Sequence, residues 1–330
     1  MQIVNEVDQG TRQTGLLTAL IGDGRPLLAL VALGLMLSGI FALFLSITGT
    51  FLPHDVAFLG IQPRTLCDLN QCRIVHFIFH DRVSFGGTLI AIGTLYLWLV
   101  TFPLRRGEEW AWWTLFLSGT IGFLNFLSYL IYGYLDSWHA VATAALLPLF
   151  VGGMGKTHSL LPPQRRGWRS LIQPGMPFTL RTRIGFGRAC LLFVGAGMAA
   201  AGSVITILGS TVVFVPQDIT YLGFTAPQLN AINPHLIPLI AHDRAGFGGG
   251  LASCGLAVLC IVWKSRPTLA LWQALLAGGI SGFGCAIGVH FVMHYLIVSH
   301  LIPAWAGAAF YAMGILCFFP SSNTAIHSAP

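Results

Sequence analysis

An all-α integral membrane protein, with eight transmembrane helices arranged as two tandem parallel four-helix repeats, is the fold class that this sequence predicts. Three observations lead there. Of 330 residues, 55% are hydrophobic and 8% charged, with a mean hydropathy of +0.75, whereas a soluble domain carries about a quarter charged residues. The apolar runs exceed the roughly 18 residues that a bilayer-spanning helix needs, and are too long for the roughly ten-residue strands of a porin-type barrel. The chain also aligns with itself. So few charges exclude a disordered chain, a coiled coil and a nucleic-acid binder.

Taken in order, the apolar runs cover Leu27 to Thr50, Val83 to Phe102, Trp110 to Gly133, Trp138 to Met154, Ala189 to Phe214, Ala245 to Trp263, Leu269 to Tyr295 and Leu301 to Phe319. The first is read as a retained span, because acidic Glu6, Asp8 and Asp23 precede it where a cleavable signal carries basic residues. The expected organisation is an N-terminal segment 1–26, a first repeat 27–155, a basic linker 156–188, a second repeat 189–319 and a tail 320–330.

Orientation follows from the basic residues. Arg12, Arg25, Arg105, Arg106, Lys156, Arg165, Arg166, Arg169, Arg181, Arg183, Arg188, Lys264 and Arg266 fall on one side. Arg64, Arg73, Arg82 and Arg244 fall on the other. The positive-inside rule makes the richer side cytoplasmic, with both termini there, and gives a bacterial inner-membrane type of protein. Segments 51–82 and 214–244 then face outward. Trp98, Trp110, Trp112, Trp113, Trp263 and Trp272 are expected at the inner interface. The basic linker is read as lying on anionic lipid, which accounts for the net charge of +6 without a nucleic-acid partner.

Displacing the chain by about 162 positions brings its halves into register. Phe51-Leu52-Pro53-His54-Asp55 meets Phe214-Val215-Pro216-Gln217-Asp218, and His80-Asp81-Arg82 meets His242-Asp243-Arg244. Phe85-Gly86-Gly87 meets Phe247-Gly248-Gly249, Tyr134-Leu135 meets Tyr295-Leu296, and His139 meets His300. A repeat unit with an even number of spans returns in the same orientation, so the repeats should be parallel. The shared glycines, and Gly284 with Gly288, read as close helix contacts.

The chemistry concentrates on the outer side, where His54, His76, His80, His139, His235, His242, His290, His294 and His300 gather with Asp55, Asp81, Asp136, Asp218 and Asp243. Imidazole with carboxylate suits a metal ion or haem. The candidate cofactor-binding residues are His80, His139, His242, His300, Asp81, Asp243, Arg82 and Arg244. Candidate metal ligands are His76, His80, His139, His242, His290, His294 and His300. Each triplet is expected where a helix begins, and His76/His80 and His290/His294 have the i,i+4 spacing of one helix face. His80 with His139, and His242 with His300, are the expected ligand pairs, with Asp81 and Asp243 orienting the imidazoles. Helix capping by the aspartates is the structural alternative, and an anion or headgroup site on Arg82 and Arg244 a further one. Cys67 and Cys72 are close enough in sequence to form an outer-face disulfide.

Three function classes fit these residues. The first is a redox or electron-transfer protein with metal or haem at the duplicated site. The second is a non-catalytic subunit embedded among lipids and other membrane subunits. The third is a small-solute carrier working between the repeats. Mid-span acids and bases are absent from the predicted runs, which disfavours an ion-coupled carrier.

Overall fold

The computed structural model describes residue 15, residues 21–161 and residues 167–320. Glu6, Asp8, Arg12, Arg165, Arg166 and the C-terminal tail lie outside the described residues.

Among the described residues the fold is all-helical, and eight helices are long and apolar enough to cross a membrane. They are α1 (Arg25–Thr48), α4 (Arg73–Thr101), α5 (Glu109–Asn125), α7 (Ser137–His158), α8 (Arg183–Gly209), α11 (Leu236–Lys264), α12 (Leu269–Val292) and α13 (Val298–Phe318). Short outer helices α2 (Pro53–Leu59) and α3 (Pro63–Asn70) precede α4, and α9 (Pro216–Leu222) and α10 (Ala226–Ile232) precede α11. A single turn, α6 (Tyr129–Tyr132), precedes α7. Proline opens several of these helices, where its missing N–H costs nothing, and glycines with positive φ close α1, α2 and α9 at Gly49, Gly60 and Gly223.

The two long helices α4 and α11 form the centre. About two thirds of the span of α4 (67%) and of α11 (72%) is buried, against 17–28% for the other six. α4 packs on α1, α11 and α12, while α11 packs on α8, α4 and α5. Each central helix therefore takes a neighbour from the opposite end of the chain. The Phe-Gly-Gly sequences make this possible. A side chain on Gly86 would strike the Gly39 carbonyl of α1, and one on Gly248 would strike the Gly202 carbonyl of α8. Side chains on Gly87 and Gly249 would collide with Cys285 of α12 and Asn125 of α5. Gly284 and Gly288, in contrast, face open space, so this GxxxG packs nothing.

α4 and α11 begin well before the predicted spans, at Arg73 and Leu236 instead of Val83 and Ala245. The His-Asp-Arg triplets, which interrupt the apolar pattern, lie inside helices rather than at their ends. They sit between an outer apolar cluster built on Phe77, Leu66, Tyr295 and Leu229 and an inner one built on Leu99, Leu115, Leu191 and Ile261. Trp98, Trp110 and Trp112 belong to this inner cluster and are buried there near the ends of their helices.

Arg188 is likewise no solvated linker residue. It is fully buried in α8 and donates to the carbonyls of Val262, Trp263 and Met176, closing the C-terminal end of α11. The indole of Trp263 and the amine of Lys264 donate to the Ile172 and Gln173 carbonyls, which pins the described part of the linker to the same end. Cys67 and Cys72 are disulfide-bonded.

Candidate metal centre

The outer ends of α4 and α11 carry a buried charge layer. Arg82 donates Nη1 and Nη2 to the Asp55 carboxylate at 2.7 and 3.1 Å, and Nε to Asp243 Oδ2 at 2.7 Å. Arg244 does the same in mirror order: Nη1 to Asp218 Oδ2 at 2.5 Å and Nε to Asp81 Oδ2 at 3.3 Å. Each arginine thus holds the aspartate of its own outer helix and the triplet aspartate of the other central helix. Tyr134 donates to Asp55 at 2.5 Å, and Tyr295 to Asp218 at 2.7 Å.

The same two aspartates cap their short helices, accepting from the N–H of Leu52 and of Val215. Burial alone would raise the Asp55 pKa, but the adjacent Arg82 charge and its hydrogen bonds hold it below the ordinary carboxylate range. Burial and the Asp55 charge push the Tyr134 phenol up, so it stays a donor.

Against this layer the histidines separate into unlike groups. His80, His290 and His300 each present a ring nitrogen, all within 4.8 Å of one another. His80 Nε2 faces His290 Nε2 at 3.0 Å, and the His300 ring stacks on Tyr295 with centroids 4.6 Å apart. On the far side of the rings, His80 Nδ1 meets Asp81 Oδ1 at 2.9 Å and His290 Nδ1 meets the Ala286 carbonyl at 2.7 Å. A carboxylate held by Arg244 and a peptide carbonyl only accept, so both Nδ1 atoms carry the proton. With both imidazoles neutral, the two Nε2 atoms are lone-pair donors pointing at each other.

The second group is smaller. His139 Nδ1 lies 3.4 Å from His242 Nε2, and His242 Nδ1 is buried without a partner. Asp243 orients no imidazole here, being bonded to Arg82.

Several sequence expectations are thereby corrected. The histidine pairs do not form within a half, as His80 with His139 and His242 with His300. They form across the centre, His80 with His290 and His300, and His242 with His139, because α12 with α13 beside it packs on α4, and α5 with α7 beside it packs on α11. His290 and His294 do not share a helix face: α12 ends at Val292 and His294 turns left-handed, with φ 55°. His294 instead lines an outer depression with His76, Arg73 and Tyr221, one turn outside the cluster. Arg82 and Arg244 direct donors to carboxylates and, for Arg244, to the Val213 carbonyl, which leaves the anion-site reading without support.

A third grouping, His54 with Asp55 and Asp136, also brings ligating atoms together. Its members pair by charge: His54 Nε2 is 3.1 Å from Asp136 Oδ1, which also accepts from the His139 N–H as a helix cap. Burial alone would lower the His54 pKa, but the Asp136 hydrogen bond and the charges of Asp136 and Asp55 outweigh it and raise the value. We read this trio as an ion pair. The roles of Tyr134 and Tyr295 were not legible from residue type, although both stood in the self-alignment. Comparison of the chain with models of protein families, with curated protein sequences and with solved structures found no match to any of them.

Proposed function

We propose that this protein is a membrane metal protein that holds one transition-metal ion on His80, His290 and His300, with Asp81 and the Ala286 carbonyl fixing the imidazoles behind them. The observation that carries the reading is the pair of Nε2 atoms facing each other at 3.0 Å, with the His300 ring nitrogen beside them. Two such nitrogens need a proton or a metal ion between or beside them, and the third converging imidazole favours the metal ion.

Charge supports the same conclusion. Asp55, Asp81, Asp218 and Asp243 are buried and held by the two arginines Arg82 and Arg244, with His54 beside Asp55 and His80 beside Asp81. An ion at His80 therefore meets a carboxylate-rich layer that favours a cation. Haem suits the site less well. Two axial nitrogens span about 4 Å, twice a metal–nitrogen distance of about 2 Å, and the macrocycle must pass between them. Three imidazoles favour copper or zinc over a hard cation, and copper would supply the electron-transfer role.

The arrangement also supports reading residues 27–155 and 189–319 as tandem parallel repeats in a bacterial-type inner membrane, with both termini cytoplasmic. Aligned residues make matching contacts, Gly39 with Gly86 and Gly202 with Gly248, and Arg82 and Arg244 use matching partners. Because the two triplets bridge α4 and α11 directly, a solute path between the repeats finds little support.

Elemental analysis of detergent-purified protein tests the metal reading. One copper or zinc per chain, lost in His290→Ala while the protein stays folded, is the expected result. A folded wild-type protein that cannot be loaded by either metal would sink the proposal, and a fixed partner protein in place of metal would favour the structural-subunit class.

A further inference from the structure

The second histidine pair opens into a cavity of about 250 Å³ enclosed by α1, α4, α5, α7 and α11. Its body is apolar, formed by side chains such as Leu35, Phe41, Phe85, Leu89, Ile92 and Phe123. Tyr96 and Ser253 at its inner end already hydrogen-bond to Ser118 and offer nothing further. Ser38 and Thr143 add hydroxyls along its walls, and the imidazole and charged groups His139, His242, Asp136, Asp243 and Arg82 meet at the outer end. A large space with apolar walls is poorly held by water and readily filled by an organic guest.

The outer end defines the head that such a guest needs. His242 is 5% exposed, and its Nδ1 has no hydrogen-bond partner. That Nδ1 has almost no accessible surface, but His139, whose Nδ1 meets His242 Nε2, lines the cavity half-buried, and its ring can take one hydrogen bond from a ligand or give one to it. An anionic head is disfavoured, because Asp55, Asp136 and Asp243 outnumber Arg82 around this end. A cationic head lacks a free counter-ion, since Asp243 is taken by Arg82 and Asp136 by His54 and the His139 N–H.

We propose that this cavity binds a neutral, lipid-soluble amphiphile whose single hydroxyl or carbonyl oxygen hydrogen-bonds to the His139 imidazole, which His242 holds in place, and whose apolar body lies between Phe85 and Phe123. The proposal stands apart from the metal at His80, His290 and His300, since it uses the histidines that site leaves over.

The test uses the full chain in lipid nanodiscs and a decanol carrying a photoreactive diazirine in its chain. Expected are saturable labels on cavity residues such as Phe85, Phe123 and Trp138, displaced by excess decanol but not by decanoate or decyltrimethylammonium. Leucine at Gly122 or Gly246 fills the space and leaves His139 unchanged. A Cβ there would meet nothing nearer than Ser253 at 3.6 Å or Phe85 at 3.9 Å. At least one of Gly122→Leu and Gly246→Leu, folded by its melting temperature, should lose the label about tenfold, as should His139→Phe. The proposal is overturned if labelling does not saturate, if the folded filled variants label like the wild type, or if either charged analogue displaces the probe as well as decanol.

Discussion

The Arg82 guanidinium holds Asp243 at 2.7 Å and so ties the triplet of α4 to the triplet of α11, while Arg244 ties α11 back to Asp81. These contacts are buried, and removing one charge strands the others. Arg82→Ala leaves Asp55 and Asp243 without their cation and should cost about 3–5 kcal/mol, seen as a large fall in the melting temperature of detergent-purified protein. Arg82→Ala combined with Asp243→Ala should recover part of that loss, because the double change removes the stranded carboxylate. A double mutant no more stable than Arg82→Ala would show that Asp55, and not Asp243, dominates the pairing.

The two histidine groups predict unequal consequences for equivalent substitutions. His80→Ala and His300→Ala should abolish stoichiometric metal, whereas His242→Ala and His139→Ala should keep it, because the latter pair lacks a third imidazole and a carboxylate behind His242. Metal content of the four variants measured side by side decides the matter, and equal losses at both pairs would contradict the assignment.

At the outer surface, stability should depend on pH through His54 and Asp136. The pKa of His54 is raised, so its contribution is complete below about pH 6.5 and fades as pH climbs through the raised value. That of Asp136 is lowered: burial alone would raise it, but the His54 and His139 hydrogen bonds prevail. Its contribution is present above about pH 4 and fades as pH falls below that. Melting temperature should peak between these limits, and His54→Gln should flatten the fall on the alkaline side. An unchanged alkaline slope in that variant would assign the effect to other groups.

Cys67 and Cys72 give a direct check of orientation. If segment 51–82 faces outward, a membrane-impermeant thiol reagent on intact cells should label these cysteines only after mild reduction, since they are bridged. The other cysteines, Cys190, Cys254, Cys260, Cys285 and Cys317, lie in spanning helices and should stay unlabelled. Labelling that requires cell lysis would reverse the orientation.

Apolar run length and charge poverty determined, from the sequence alone, that the chain is a bundle of spanning helices, because an unpaired backbone in hydrocarbon allows no other open-chain solution. The self-alignment also picked out the residues of the charge layer, where Arg82 and Arg244 use matching partners. It could not show where α4 and α11 begin. A period-3.6 pattern that tolerates buried, neutralised aspartate and arginine looks on paper like the end of a span, and the triplets were placed at helix starts for that reason. Nor could it pair the histidines. Which helix lies beside which is decided by side-chain contact across the bundle: glycines that admit α12 against α4 and α5 against α11 bring His290 to His80, and the neighbouring helices α13 and α7 add His300 to that cluster and His139 to His242. Only that crossing separates one cluster with three converging imidazoles from another that opens onto a cavity.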